Sequence, residues 1–256
     1  MNKKKIRTQV QSLRKGKVLL ILPCNAGACI GNYFKADSIC DQEWHRVWRE
    51  ADLALCDLRK KGRVVFAAVD SCTLETEPEG SKGAIVFETE MGRVKNPGGK
   101  DWGAPSWRWF RPAADGSCEY LETLTESLTK GIHRVEKMGF SQVFALVNPR
   151  GYYLSLVAAV ERCGLLNKWV LFRVPAHPRH LLPAVQQILP IVRAATEGKK
   201  KIGGIYSIPA MFPFLLKENK LYKDSLPRAW QRRSSLRSTS EVKTQWLHLT
   251  DALRRK

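Results

Sequence analysis

Residues 16–24, GKVLLILPC, and residues 63–72, RVVFAAVDSC, are two short continuous apolar runs rich in branched side chains. Runs of this kind, closed by Pro23 in the first and by Asp70 in the second, suit strands buried on both faces. Between them, residues 41–60 set Trp44, Val47, Trp48, Ala51, Leu55 and Leu58 at helical spacing, and Lys60, Lys61 and Gly62 end the repeat. Strand, helix and strand in direct succession predict parallel strands joined by a right-handed crossover.

The same alternation continues along the chain. Residues 119–138 carry an apolar stripe of Leu121, Leu124, Leu128, Ile132 and Val135 stopped by Gly139, and 141–149 (SQVFALVNP) reads as another buried strand. Residues 151–163 form a helix with Tyr153, Leu156, Val157 and Val160 inward and Gly164 as its cap, followed by the strand KWVLFRVP at 168–175. Residues 83–91 (GAIVFETEM) read as an edge strand or hairpin arm, and the helix after Pro175 is expected to break or kink near Pro190. The fold class is therefore α/β, an open and mostly parallel sheet with helices on both faces (Rossmann-like), with basic terminal extensions.

Three parts are expected: a basic arm at 1–16, a single α/β domain at 17–216 with a Gly-, Pro- and Trp-rich insertion near 92–118, and a basic tail at 217–256. The tail reads as irregular up to a short amphipathic helix at 241–255, N-capped by Ser240, whose stripe of Val242, Trp246, Leu249 and Leu253 docks on the core or on a protein partner. Gly203 and Gly204 read as a turn.

The charge is concentrated at the ends. Of a net +19, residues 1–17 hold seven basic and no acidic side chains, and 217–256 hold eleven basic and four acidic, leaving +5 for the 199 residues between. Solubility and attraction to an anionic membrane surface compete as explanations, but nucleic acid, DNA or RNA, is the partner that this arrangement favours. The candidate contacts are Lys3, Lys4 and Lys5 in the arm, Arg228, Arg232, Arg233 and Arg237 in the tail, and the loop Trp107, Arg108 and Trp109. There aromatic rings beside a guanidinium can stack on unpaired bases if they are exposed; core packing is the alternative for those tryptophans.

Seven cysteines, odd in number and unevenly spaced, do not form a disulfide framework. Lys3–Lys5 ahead of the run at 18–22 superficially resembles a signal peptide, but that run is too short and Pro23 is badly placed for cleavage. No stretch has the length of a membrane span, so the chain reads as cytoplasmic.

In an open parallel sheet, ligands bind outside the carboxyl ends of the strands. The residues that follow the strands include Cys24, Asn25, Asp70, Ser71, Asn148, Arg150 and His177. Cys24, Asp70 and Ser71 are the catalytic candidates as thiol, base and hydroxyl, whereas Asn25, Asn148, Arg150 and His177 suit a base edge, a ribose or a phosphate. The same residue types also serve as ordinary turns and caps. The loop Asn25–Asn32 has two glycines but neither phosphate-binding spacing. Cys24, Cys29, Cys40 and His45 supply four soft ligands at spacings unlike the common zinc motifs, which makes them a weak metal candidate. No motif implies a cofactor. Three functional readings result: a nucleic-acid-associated protein whose crevice takes a nucleotide or exposed base, an enzyme acting on a nucleotide or nucleobase through that crevice, and an accessory or regulatory protein that docks a partner through its C-terminal helix.

Overall fold

A computed structural model describes residues 17–22, 39–69, 84–87, 119–147, 153–175, 177–197, 201–223, 226 and 228–254. Its elements follow the predicted alternation: β1 (Val18–Ile21), α1 (Ile39–Lys60), β2 (Val64–Val69), β3 (Ile85–Phe87), α2 (Glu119–Lys137), β4 (Gln142–Val147), α3 (Tyr153–Arg162) and β5 (Trp169–Arg173). There follow α4 (Pro178–Glu197), β6 (Gly204–Ser207), a 3-10 turn at Pro209–Met211, α5 (Phe212–Lys223), α6 (Arg228–Ser234) and α7 (Thr239–Arg254).

The six strands are all parallel in the order β3-β2-β1-β4-β5-β6. Residues 85–87 are therefore an edge strand, since a hairpin arm would run antiparallel. Alternation along the strands splits the core into two layers. Leu19, Ile21, Val143, Ala145 and Leu171 pack under α2, α3 and α6, whereas Leu20, Phe66, Phe144, Val170 and Phe172 pack under α1, α4 and α7. In α1 the predicted positions Val47, Trp48, Ala51, Leu55 and Leu58 are buried, as is the predicted stripe of α2, with Trp48 and Leu55 fully covered and Trp48 meeting Phe66 edge-on at 6.0 Å.

Two of the predicted glycine caps are seen at positive φ. Gly62 (φ 64°) and Gly164 (φ 67°) follow α1 and α3, and in each case the next residue, Arg63 or Leu165, donates back to Leu58 or Val160 across a Schellman turn.

Four expectations are corrected. Helix α4 is continuous through Pro183 and Pro190, and Pro190 lies on its exposed side. Gly203 and Gly204 lead into β6: a side chain at Gly203 would lie 2.1 Å from the backbone carbon of Asn167, and Gly204 has φ 122°. Only glycine permits that close pass and that backbone angle, so the pair marks a strand entry. The polar stretch after Lys217 is helical in α5 and α6, because Leu215, Leu226 and Trp230 are buried and anchor it. Helix α7 begins earlier than expected, and its cap is Ser238: the Ser238 backbone N–H donates to Glu241 Oε2 (2.8 Å) and the Glu241 N–H to Ser238 Oγ (3.4 Å), a reciprocal capping box.

The stripe of α7 packs on the chain's own core. Leu249 is 2% exposed, and Trp246 stands 6.1 Å from Phe172. Among the described residues no helix is long and apolar enough to cross a membrane.

Candidate functional site

β2, β1, β4 and β5 are consecutive neighbours in the sheet and all point the same way, so the four strand ends that precede the candidate residues share one edge. β1 and β4 are the pair from which the chain builds the sheet outward in opposite directions, the point at which a crevice opens in folds of this kind. The side chains themselves, Cys24, Asn25, Asp70, Ser71, Asn148 and Arg150, lie outside the described residues. So do Lys3, Lys4, Lys5, Trp107, Arg108 and Trp109, and of the metal candidates Cys24 and Cys29 as well as the side chain of Cys40. His45 is half-buried on α1. Among the described residues no group of three or more metal-ligating side chains comes together.

His177, the remaining crevice candidate, caps α4. Its carbonyl accepts from His180 and Leu181, its ring Nδ1 accepts from the Arg179 N–H (3.3 Å), and Pro178 occupies the first helical position. Its own backbone N–H donates to Glu218 Oε1 (3.1 Å). Glu218 comes from α5 and is almost fully buried, so the positive end of the α4 dipole already has a carboxylate against it. His180 stacks on Phe214 with ring centroids 3.8 Å apart, completing this corner of the carboxyl edge. Sequence reasoning did not single out Glu218. Its only signal is a carboxylate in an otherwise basic segment, and its partner is 41 residues away.

The tail arginines are exposed on α6 and just beyond it. Arg233 meets Glu161 at 3.3 Å and lies over the Trp230 ring at 5.2 Å. The segment linking α6 on one face to α7 on the other passes the open edge of β6, where Arg173 donates to the Ser235 carbonyl (3.3 Å). Arg237 lines two clefts there. One, of about 110 Å³, is shared with Arg173, Ser207 and Gln245; the other, of about 280 Å³, lies between β6 and α7 with Tyr206 and His248. Burial pushes the Tyr206 phenol up from its ordinary pKa, and its hydroxyl donates to the Gly203 carbonyl (2.9 Å), so it acts as a neutral strut. Cys163 lies 3.9 Å from His133 Nε2, but burial and the Glu136 carboxylate raise its pKa, which disfavours the thiolate.

Sequence reasoning also missed Gln142, a buried amide at the start of an otherwise apolar strand. Its Nε2 donates to the carbonyls of Lys168 (2.7 Å) and Ile202 (2.8 Å), and its Oε1 accepts from the Ile202 N–H (3.0 Å). It stitches the beginnings of β4, β5 and β6 together.

The fold and its edges define the class: an α/β, Rossmann-like protein with a parallel sheet layered on both faces by helices. Compared with known proteins, the chain matches no family model, no curated protein and no solved structure.

Proposed function

We propose that this is a nucleic-acid-associated α/β protein whose basic ends contact the phosphate backbone and whose carboxyl-edge crevice takes a nucleotide or an exposed base. The observation that carries the reading is the charge distribution, with +14 of the net +19 in residues 1–17 and 217–256. The exposure of Arg228, Arg232 and Arg237 supports it, because exposed guanidinium groups are available to phosphate oxygens, whereas Arg233 is engaged by Glu161. The strand order adds support for the crevice, being the one in which dinucleotides bind at the reversal between the first and fourth strands.

The test is the affinity of the full chain for fluorescein-labelled 30-mers of single-stranded DNA, single-stranded RNA and duplex DNA between about 50 and 200 mM salt. A steep log–log decline with salt, made shallower by removing residues 1–15 or by Arg228→Gln with Arg232→Gln, is expected. Binding that is absent or insensitive to salt would refute the reading. Because α6 and α7 contribute buried residues to the core, point substitutions at their surface are the sound probe, and truncation there would confound binding with unfolding.

One observation favours a second reading, an enzyme acting on a nucleotide or nucleobase: the ends of β2, β1, β4 and β5 stand side by side on one edge. Asp70→Ala would then abolish turnover of a nucleotide substrate while leaving the melting curve and the salt-dependent binding unchanged. Turnover unaffected by that substitution, or by Cys24→Ala, would remove Asp70 and Cys24 from the chemistry.

A further inference from the structure

The opposite edge of the sheet, where the strands begin, carries a row of cations that the sequence scatters over 185 positions. Lys17, Arg63 and Lys168 each directly precede a strand, and Lys201 stands ahead of Ile202 and Gly203 on the approach to β6. Backbone pairing orders them. The Val18 N–H donates to the Arg63 carbonyl (2.9 Å), the Ser141 N–H to the Lys17 carbonyl (2.8 Å), and the Gln142 amide holds the Lys168 carbonyl and Ile202 on its other side. With parallel strands about 4.8 Å apart, β2 to β6 spans roughly 19 Å, so the four residues are distributed along one edge of the sheet.

Lys61 adds to this edge from the turn after α1, and the Lys17 ammonium lies beside that turn, 3.5 Å from where a Gly62 side chain would start. Lys61, Arg63, Lys168 and Lys201 are exposed. Acidic groups also stand toward this edge, and Glu161 in the last turn of α3 meets Arg233 (3.3 Å). Asp57 is bound by Arg193 (2.7 Å), Glu136 accepts from the Trp169 indole (3.0 Å), and Glu197 is exposed at the end of α4. Basic residues in the last turns of α1 and α2 complement the helix dipoles, and Arg63 does the same for α4 by donating to the Thr196 carbonyl in its last turn, which leaves Lys17, Lys168 and Lys201 as the strand-start cations to be explained. The basic stretch at 1–16 directly precedes Lys17 in the sequence.

We propose that this amino-terminal edge, with Lys17, Lys61, Lys168 and Lys201, is a further surface that contacts the phosphate backbone of nucleic acid, on the side of the sheet opposite the crevice. The inference rests on the nucleic-acid reading above and gives it a place in the fold. Cations distributed along one edge, their backbones held in register by hydrogen bonds and by the Gln142 amide, suit an extended polyanion. A lipid surface suits it less well, since the exposed large apolar residues among those described, Leu53, Phe214, Leu216 and Leu247, are not in the row.

The experiment compares the full chain with a Lys61→Gln, Lys168→Gln, Lys201→Gln triple variant and with the corresponding triple substitution to Arg, using the same labelled 30-mers. The Gln triple is expected to bind about tenfold or more weakly at ~0.1 M salt and to lose about 2 to 3 from the salt slope, while the Arg triple retains both. Unchanged affinity and slope in the Gln triple, with normal binding by the parent chain, would overturn this surface and leave the nucleic-acid reading standing. Failure of the parent chain to bind would overturn both. Loss of binding to phosphatidylserine vesicles with nucleic-acid affinity intact would also overturn the proposal.

Discussion

Two crossovers place a helix on the same face of the sheet and differ in hand. From β1 to β2 the chain moves toward β3, and α1 packs over Leu20 and Phe66. From β5 to β6 the chain moves the other way, yet α4 packs in that same layer, against α1. The crossovers through α2 and α3 move as the α4 crossover does but lie on the other face, so they share the hand of α1. Parallel crossovers are right-handed in about 98% of cases, which makes the α4 connection the left-handed exception.

The hand of the α4 crossover makes the C-terminal segment part of the fold. A right-handed α4 would lie on the α2 and α3 face. Instead it sits beside α1 over the middle strands, tied there by Arg193 to Asp57 and to the Ala54 carbonyl. That leaves Phe172 and Tyr206, on β5 and β6, in need of a cover, and α7 supplies it with Trp246 and Leu249.

The largest test of this account is Phe172→Ala. Phe172 stacks on Phe144 at 6.1 Å and touches Tyr206 and Trp246, so its loss should cost about 3 to 5 kcal/mol by urea denaturation. Next comes Leu249→Ala on α7, expected to cost about 2 to 4 kcal/mol if the helix is the cover of β5 and β6. A loss below about 0.5 kcal/mol, typical of a surface site, would mean that α7 is an appendage and not the cover of β5 and β6. Ser238→Ala removes the cap of α7 and should cost about 1 kcal/mol.

The smallest effect concerns the tie between α1 and α4. The hydrogen bond from Arg193 holds the Asp57 carboxyl below its ordinary pKa, so the pair's contribution is present above the unfolded-state value and is lost as pH falls through the folded one. Asp57→Asn should therefore lower Tm slightly near pH 7, and the gap to the parent chain should close in acid. A gap that persists at low pH would assign the effect to packing.

The candidate site divides along the same line as the fold. The carboxyl-edge loops could be located from sequence because a buried parallel strand announces its own end, in Pro23 and Asp70 for instance. His177 was found by position, but its task as the cap of α4 depends on Glu218, which comes from a helix that composition disguised as irregular tail. Lys168 and Lys201 carry no local signal that they are neighbours. Their adjacency comes from β6, a four-residue strand hidden behind two glycines.

Local pattern was sufficient for the α/β class, for a mostly parallel sheet and for helices α1 to α3, and it found α4 while wrongly expecting a break near Pro190, since helical and strand periodicities arise from backbone geometry within a few residues. The glycine caps were readable for the same reason. The hand of the last crossover, the addition of β6, the docking of α6 and α7 and the row of cations at the amino edge all required the folded chain. Each depends on contacts between residues far apart in sequence, such as Gln142 with Ile202 and Phe172 with Trp246, and burial of apolar surface decides among them without leaving a local mark.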